Sequence, residues 1–252
     1  NEAGLLLLED FGDDTYTELL TSGADETALY TLAVDVLVDL HRRPVAETVP
    51  GQLPVYDDAL LLEEAELFTG WYLSAVLGDD AAAALSEEFR SLWGELLPLA
   101  RAVPDTLVLR DYHVDHLIRI PGREGIKACG LLDFQDAVKG PASYDLMSLL
   151  EDARRDIAPS LADAMLARYR ASIPSLDEGA LDVSLAILGA QRHCKVIGIF
   201  TRLSVRDSKP GYLAHIPRVW RLLENSLADP ALEKLRNWMD RHVPAAARRV
   251  PG

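Results

Sequence analysis

Residues 106–134 interrupt a chain that otherwise carries helical periodicity almost from end to end, and this interruption constrains the fold most. Thr106 to Leu109, Leu117 to Ile120 and Gly130 to Phe134 are short β-like runs separated by polar or glycine-containing turns. Upstream, Leu29, Leu32, Ala33, Val36, Leu37 and Leu40 recur at three and four residues, which predicts an amphipathic helix between Ala24 and Arg43. Further helices are predicted at 58–77 and 81–102, the latter with Leu85, Phe89, Leu92, Trp93, Leu96 and Leu99 on one face. Beyond the insert, helices are predicted at 144–157, 160–171, 181–205, 212–227 and 231–242, with prolines mostly at the joins. The expected architecture is α+β, mainly helical, around a small β insert.

The insert also concentrates the chemistry. It carries Arg110-Asp111-Tyr112-His113-Val114-Asp115-His116 and, further on, Leu131-Leu132-Asp133-Phe134-Gln135-Asp136. Two acid-bearing loops, each bordering a short β run, can bring carboxylates together at one end of a small sheet. Phosphoryl transfer to an alcohol requires that arrangement: one carboxylate orients the hydroxyl and accepts its proton, and another holds a divalent cation against the phosphates. A net charge of −15 makes nucleic acid an unexpected partner, because it repels phosphate backbones. It also repels ATP, so a bound nucleotide needs local neutralisation, most simply by Mg²⁺ on carboxylates. Cys129 and Cys194 lie far apart with no CxxC spacing, as expected in a reducing compartment. No membrane span is expected, since the apolar stretches carry charges at helical spacing. The chain opens at Asn1 directly on Leu5 to Leu8, a short apolar run that reads as a buried strand leaving into the polar turn 9–14.

Segment Leu109 to Leu117 resembles the catalytic loop H-G-D-x-x-x-x-N of the aminoglycoside phosphotransferases and choline kinases, and Leu131 to Asp136 resembles their I-D-F/W metal loop. The resemblance implies a protein-kinase-like C-terminal lobe with the insert at its catalytic cleft. It implies Asp111 as catalytic base, Asp133 as the principal Mg²⁺ ligand, and Asp145 of Tyr144-Asp145-Leu146 as the brace of the catalytic loop. It further implies that residues 1–14 are the last N-lobe strand and hinge, with Glu9, Asp10 and Phe11 meeting adenine. Residues 15–252 would then be the helical catalytic lobe, its loops within 106–136, and most of the N-lobe would lie outside this sequence. The strings R-D-Y-H-V-D, L-L-D-F-Q-D-A and Y-D-L-M-S-L-L-E-D-A-R-R-D are most similar to the bacterial anomeric amino-sugar kinases. Members of that group are cytoplasmic and phosphorylate N-acetylmuramate and N-acetylglucosamine with ATP and Mg²⁺ in cell-wall recycling. The expected partners are therefore a sugar and ATP, with no membrane, and a monomer is expected.

Other residues keep two readings. His116 stands where the family pattern has Asn, and is either a metal-site member or a structural histidine; imidazole is a softer ligand than Mg²⁺ prefers. Asp136 could reach the same metal or a sugar hydroxyl. His113, Trp71 and Tyr72 are candidate sugar contacts against a packing alternative, and Arg202 a candidate for a substrate carboxylate against a solvated one. Asp115 reads as a loop-capping acid. Three other functions fit the same residues: a Zn²⁺ or Mn²⁺ hydrolase built on Asp111, His113, Asp115, His116 and Asp133, a non-catalytic sugar-binding lobe, and an aminoglycoside phosphotransferase.

Overall fold

The computed structural model describes residues 9–51 and 53–251. The strand expected at Leu5 to Leu8 lies outside the described residues.

Short capped helices open the fold. Thr15 accepts the Glu18 amide and starts α1 (Tyr16–Thr21). Asp25 accepts the Ala28 amide and starts α2 (Glu26–Arg42), whose first turn carries Glu26 and whose last carries Arg42, each sign matching the helix dipole. After the single turn α3 (Val45–Thr48), Asp57 caps α4 (Asp58–Ala65). The sequence predicts one helix over 58–77. Instead the backbone widens into a π turn at Phe68–Leu73 before resuming as α5 (Ser74–Leu77). The widening follows Leu67, where Gly198 approaches so closely that a Cβ there would lie 2.4 Å from the Leu67 carbonyl. The turn sends Phe68 and Tyr72 into the core beside Trp220. α6 (Asp79–Ala100) follows as its periodicity predicts.

The insert is two antiparallel ribbons. β1 (Asp105–Val108) pairs with β4 (Val138–Pro141), Asp105 opposite Pro141 and Val108 opposite Val138. β2 (Leu117–Arg119) pairs with β3 (Cys129–Leu131), Leu117 opposite Leu131. β4 escapes sequence reading because Lys139-Gly140-Pro141 has no apolar alternation and Pro141 cannot donate to a ladder.

α7 (Ser143–Leu150) ends earlier than its predicted 157. Asp152 accepts the Arg154 amide at 2.8 Å, a local turn that competes with the helix, and Pro159 at the first position of α8 (Pro159–Ser172) starts the next one. α9 (Glu178–Val205), α10 (Ile216–Ser226) and α11 (Glu233–His242) complete the chain. By length and composition α9 could cross a membrane, yet 78% of its apolar window is buried inside the fold. It is a core helix.

Two apolar clusters form around this frame. The larger gathers α4, the π turn, α6, α9, α10 and α11 around Phe68, Phe89, Trp93, Trp220 and Trp238. The smaller gathers α1, α2, α7 and α8 around Tyr16, Tyr30, Leu37, Leu146 and Tyr169. The segment between β1 and β2 runs along their seam: Val108 belongs to the larger cluster, and Leu109, Tyr112 and Val114 to the smaller. Packing on both sides therefore fixes the loop that carries Asp111.

Candidate active site

Asp111 follows a residue held in an unfavourable backbone region. Among the described residues three non-glycine positions take a positive φ: Arg110 at 69°, Asp133 at 57° and Ser208 at 54°. Two of them lie on the two acid-bearing loops, and strain of this kind, about 1–3 kcal/mol each, persists only where the surroundings over-determine it. At Arg110 the constraint is visible. Asp145, buried at the start of α7, accepts the Leu109 amide at 2.6 Å and the Arg110 amide at 3.0 Å. From the other side the Tyr112 hydroxyl donates to the Ala33 carbonyl of α2 at 2.8 Å. The loop is pinned to two helices, and the Asp111 carboxylate is left half-exposed.

The Arg192 guanidinium, on α9 and nearly enclosed, lies 3.9 Å from Asp111. Burial pushes the Asp111 carboxyl up, but the charges of Arg192 and then Lys195 outweigh it and hold it below the usual aspartate range. Asp111 is therefore ionised at neutral pH, ready to accept a hydrogen bond from an alcohol.

Asp133 approaches the same place from the end of β3. The His116 Nδ1 lies 3.0 Å from the Asp111 carbonyl, and its Nε2 lies 3.4 Å from an Asp133 carboxylate oxygen. A carbonyl can only accept, so Nδ1 carries a proton, and in the Nδ1–H tautomer Nε2 presents its lone pair to Asp133. In that tautomer two acceptors face each other. That pairing suits a cation, and the residues present fit Mg²⁺, which takes one or two protein ligands and completes its octahedron with phosphate oxygens and water. Gln135 donates to the other Asp133 oxygen. Asp136 does not join them: it is exposed, and its backbone carbonyl accepts from Arg110 at 3.4 Å. Among the described residues no three His, Cys, Asp or Glu side chains converge as a metal cage.

The remaining expectations divide. His113 is buried against the His116 ring, 4.2 Å between centroids, with Arg154 3.5 Å from its Nε2. Burial first, then the Arg154 charge, keep its pKa well down, so it packs neutral and offers a sugar no open face. Tyr72 is fully buried, and its hydroxyl is spent on the carbonyls of Ala247 and Arg249 and on the Trp220 indole. The π turn points it inward, which corrects its assignment to the sugar. Trp71 lines a surface cleft with Gly70, Ser74 and Asp79 that shares no residue with the cavity beside Arg110. Asp115 is tied to the Thr17 hydroxyl and faces Arg154. In the segment before α1, Glu9 pairs with Arg123 and Asp10 accepts the Gly12 amide at 2.8 Å. Phe11 packs against Gly130 of β3, where a Cβ would be 2.8 Å from the ring.

Sequence reasoning named Arg202 for a substrate carboxylate but missed Arg110, Arg192 and Lys195 beside it. A cavity of about 270 Å³ opens beside Arg110, between α4 and α9, with Lys195 and Arg202 on one wall and Glu63 and Glu64 on the other. Leu60, Leu67 and Ile199 form its apolar surface. Glu64, buried, is the hub: Lys195 donates to it at 2.8 Å, Arg110 and the Tyr56 hydroxyl bond it as well, and Gln191 lies 3.4 Å away. The available signal was Arg192 and Lys195, three apart and following the apolar run Leu185 to Ala190.

A carboxylate on a pinned, strained loop, a second acid poised for a cation and an adjoining polar groove define a kinase-like phosphotransferase. Residues 3–180 match the phosphotransferase enzyme family known as APH, and the chain belongs to that family. It is 40% identical over 252 residues to an N-acetylmuramate/N-acetylglucosamine kinase of Caulobacter vibrioides, covering 98% of this chain and 69% of that one. A Pseudomonas aeruginosa protein of the same name is 38% identical, with 90% and 66% covered. The chain thus spans about two thirds of the length of these relatives. In fold it resembles two aminoglycoside phosphotransferases. One is the ADP-bound APH(2'')-Ib, with a TM-score of 0.51 at 18% identity over 86% of this chain and 69% of that one. The other is APH(2")-IIa in complex with gentamicin, with a TM-score of 0.53 at 16% identity over 89% and 70%.

Proposed function

We propose that the protein is an ATP- and Mg²⁺-dependent kinase of N-acetylmuramate and N-acetylglucosamine, acting at the anomeric hydroxyl. The observation that carries this reading is the ionised Asp111 beside the His116–Asp133 pair, in a chain 40% identical to a kinase of those sugars. The sugar would lie in the groove between α4 and α9 with its reacting hydroxyl at Asp111, which orients it and takes its proton. Asp133, assisted by His116, would hold Mg²⁺, whose charge would neutralise the phosphates. Arg192, next to Asp111, keeps that carboxylate ionised until the proton arrives. Adenine would be received at Glu9 to Phe11, a segment docked on the same β2–β3 ribbon that ends in Asp133, so nucleotide and metal share one support.

The test uses the full-length protein and follows ADP release with each sugar, then repeats the measurement with Asp111→Asn. Loss of the base should lower kcat by roughly 10²–10⁴-fold, while sugar affinity by calorimetry changes little. Equal loss of binding and turnover would remove Asp111 from the role of base. The aminoglycoside reading predicts instead ADP release with a cationic aminoglycoside and none with either sugar.

A further inference from the structure

Arg192, Lys195, Ile199 and Arg202 follow one another along a single face of α9, spaced three, four and three residues apart. The first faces Asp111, and the other three open on the cavity beside Arg110. Most of the cations in this neighbourhood are compensated from within the chain. Arg110 and Lys195 both bond Glu64, and Arg192 faces Asp111. Arg206, one turn beyond Arg202, is paired with Asp207.

Arg202 differs. Among the described residues it makes no ion pair, and its Nε is enclosed without a hydrogen-bond partner. Glu63, on the exposed rim, does not pair with it either. Three cations thus meet two carboxylates around the cavity, in a protein whose net charge is −15. An enclosed guanidinium N–H without an acceptor costs free energy in the empty groove, and a ligand carboxylate placed there would recover it through a charge-assisted bond.

We propose that Arg202 is the carboxylate-recognising residue of the acceptor groove, pairing with the lactyl carboxylate of N-acetylmuramate while the anomeric hydroxyl lies at Asp111. The proposal rests on the sugar-kinase reading above. Arg192 and Arg202 are ten residues apart, about 15 Å along the helix at 1.5 Å per residue. Arginine side chains in a helix lean back toward its N-terminal end, so the head of Arg202 is carried toward Arg110 and the catalytic loop. N-acetylglucosamine has no carboxylate and gains nothing at this position. Arg202 is then a specificity determinant between the two sugars.

The experiment measures kcat/KM for both sugars on the full-length protein and on Arg202→Gln and Arg202→Lys, with thermal unfolding of each to verify the fold. For Arg202→Gln the ratio of kcat/KM for N-acetylmuramate to that for N-acetylglucosamine should fall roughly tenfold to a hundredfold, the worth of one hydrogen bond to a charged group. Arg202→Lys, which keeps the charge but not the fork, should fall between that variant and the parent. An unchanged ratio, including an equal loss with both sugars, overturns the carboxylate subsite and leaves the kinase reading standing. Absence of ADP release with either sugar in the parent protein overturns both.

Discussion

Replacing Glu64 by glutamine would remove the one carboxylate that compensates two cations beside the catalytic loop. The side chain is 8% exposed, Lys195 donates to it at 2.8 Å from a side chain 10% exposed, and Arg110 bonds the same oxygen. Truncating one partner of a buried pair costs about 3–5 kcal/mol, because the remaining charge is left uncompensated. Here the groove admits water to Arg110, so the lower end applies, about 3 kcal/mol, or a Tm lower by about 6–12 °C in a domain of this size. Lys195→Met alone should also destabilise. The double variant should recover much of the loss, since removing both charges leaves neither stranded. Urea unfolding of the parent, both single variants and the double variant yields the coupling energy directly. A coupling below about 0.5 kcal/mol would show that Glu64 and Lys195 act independently and would refute the hub. The pH dependence gives a second check. Burial pushes the Glu64 carboxyl up, but Lys195, Tyr56 and Arg110 outweigh it, and its pKa is lowered in the folded protein. Its contribution is therefore complete above the unfolded value, about 4.3, and is lost as pH falls through the depressed folded value. Glu64→Gln should flatten that acid limb.

Other outcomes follow from single contacts. Asp145→Asn leaves one of the Leu109 and Arg110 amides facing an NH₂ group, so at pH 8 stability should fall by about 1–3 kcal/mol by urea titration, with kcat falling as the loop loosens. Burial also pushes Asp145 up to about 7 against the pull of those two amides. The folded protein then keeps this proton longer than the unfolded chain, stability declines as pH rises from about 4 toward 7, and the Asn variant should lack that decline. Gly198→Ala, which in an open helix would stabilise, should here cost about 1–3 kcal/mol, because its methyl would meet the Leu67 carbonyl; an unchanged urea midpoint would contradict the close packing. Asp133→Asn should raise the Mg²⁺ concentration needed for half-maximal turnover more than it changes KM for the sugar, as a titration at fixed ATP would reveal.

The helical frame was legible in the residues because amphipathic periodicity and caps act locally. Asp25 and Asp57 announce their helices, and the apolar stripe from Leu29 to Leu40 specifies which side of α2 is buried. The two acid-bearing loops were legible for the same reason: acids bordering short apolar runs stand out against a helical background. Tyr72 was not. Its inward turn depends on a π widening at Phe68–Leu73, next to a close approach by Gly198, which is 126 residues further along the chain. β4 was hidden because its pairing is decided by β1 rather than by any alternation of its own.

Local spacing along the chain already specified most of the helical frame, the two loops that carry Asp111 and Asp133, and the charges within a largely apolar helix. Each of these is a property of neighbours along the chain, where spacing alone decides which face a residue occupies. Only the tertiary structure decided what those charges do. Arg192 meets Asp111 across 81 positions, Lys195 meets Glu64 across 131, and Asp145 reaches back 36 residues to the amides of the catalytic loop. The worth of a charge depends on its burial and on its partner's distance, and both are set where distant segments pack. The same packing left Arg202 without an ion pair among the described residues, at the wall of the groove where an acidic sugar would lie.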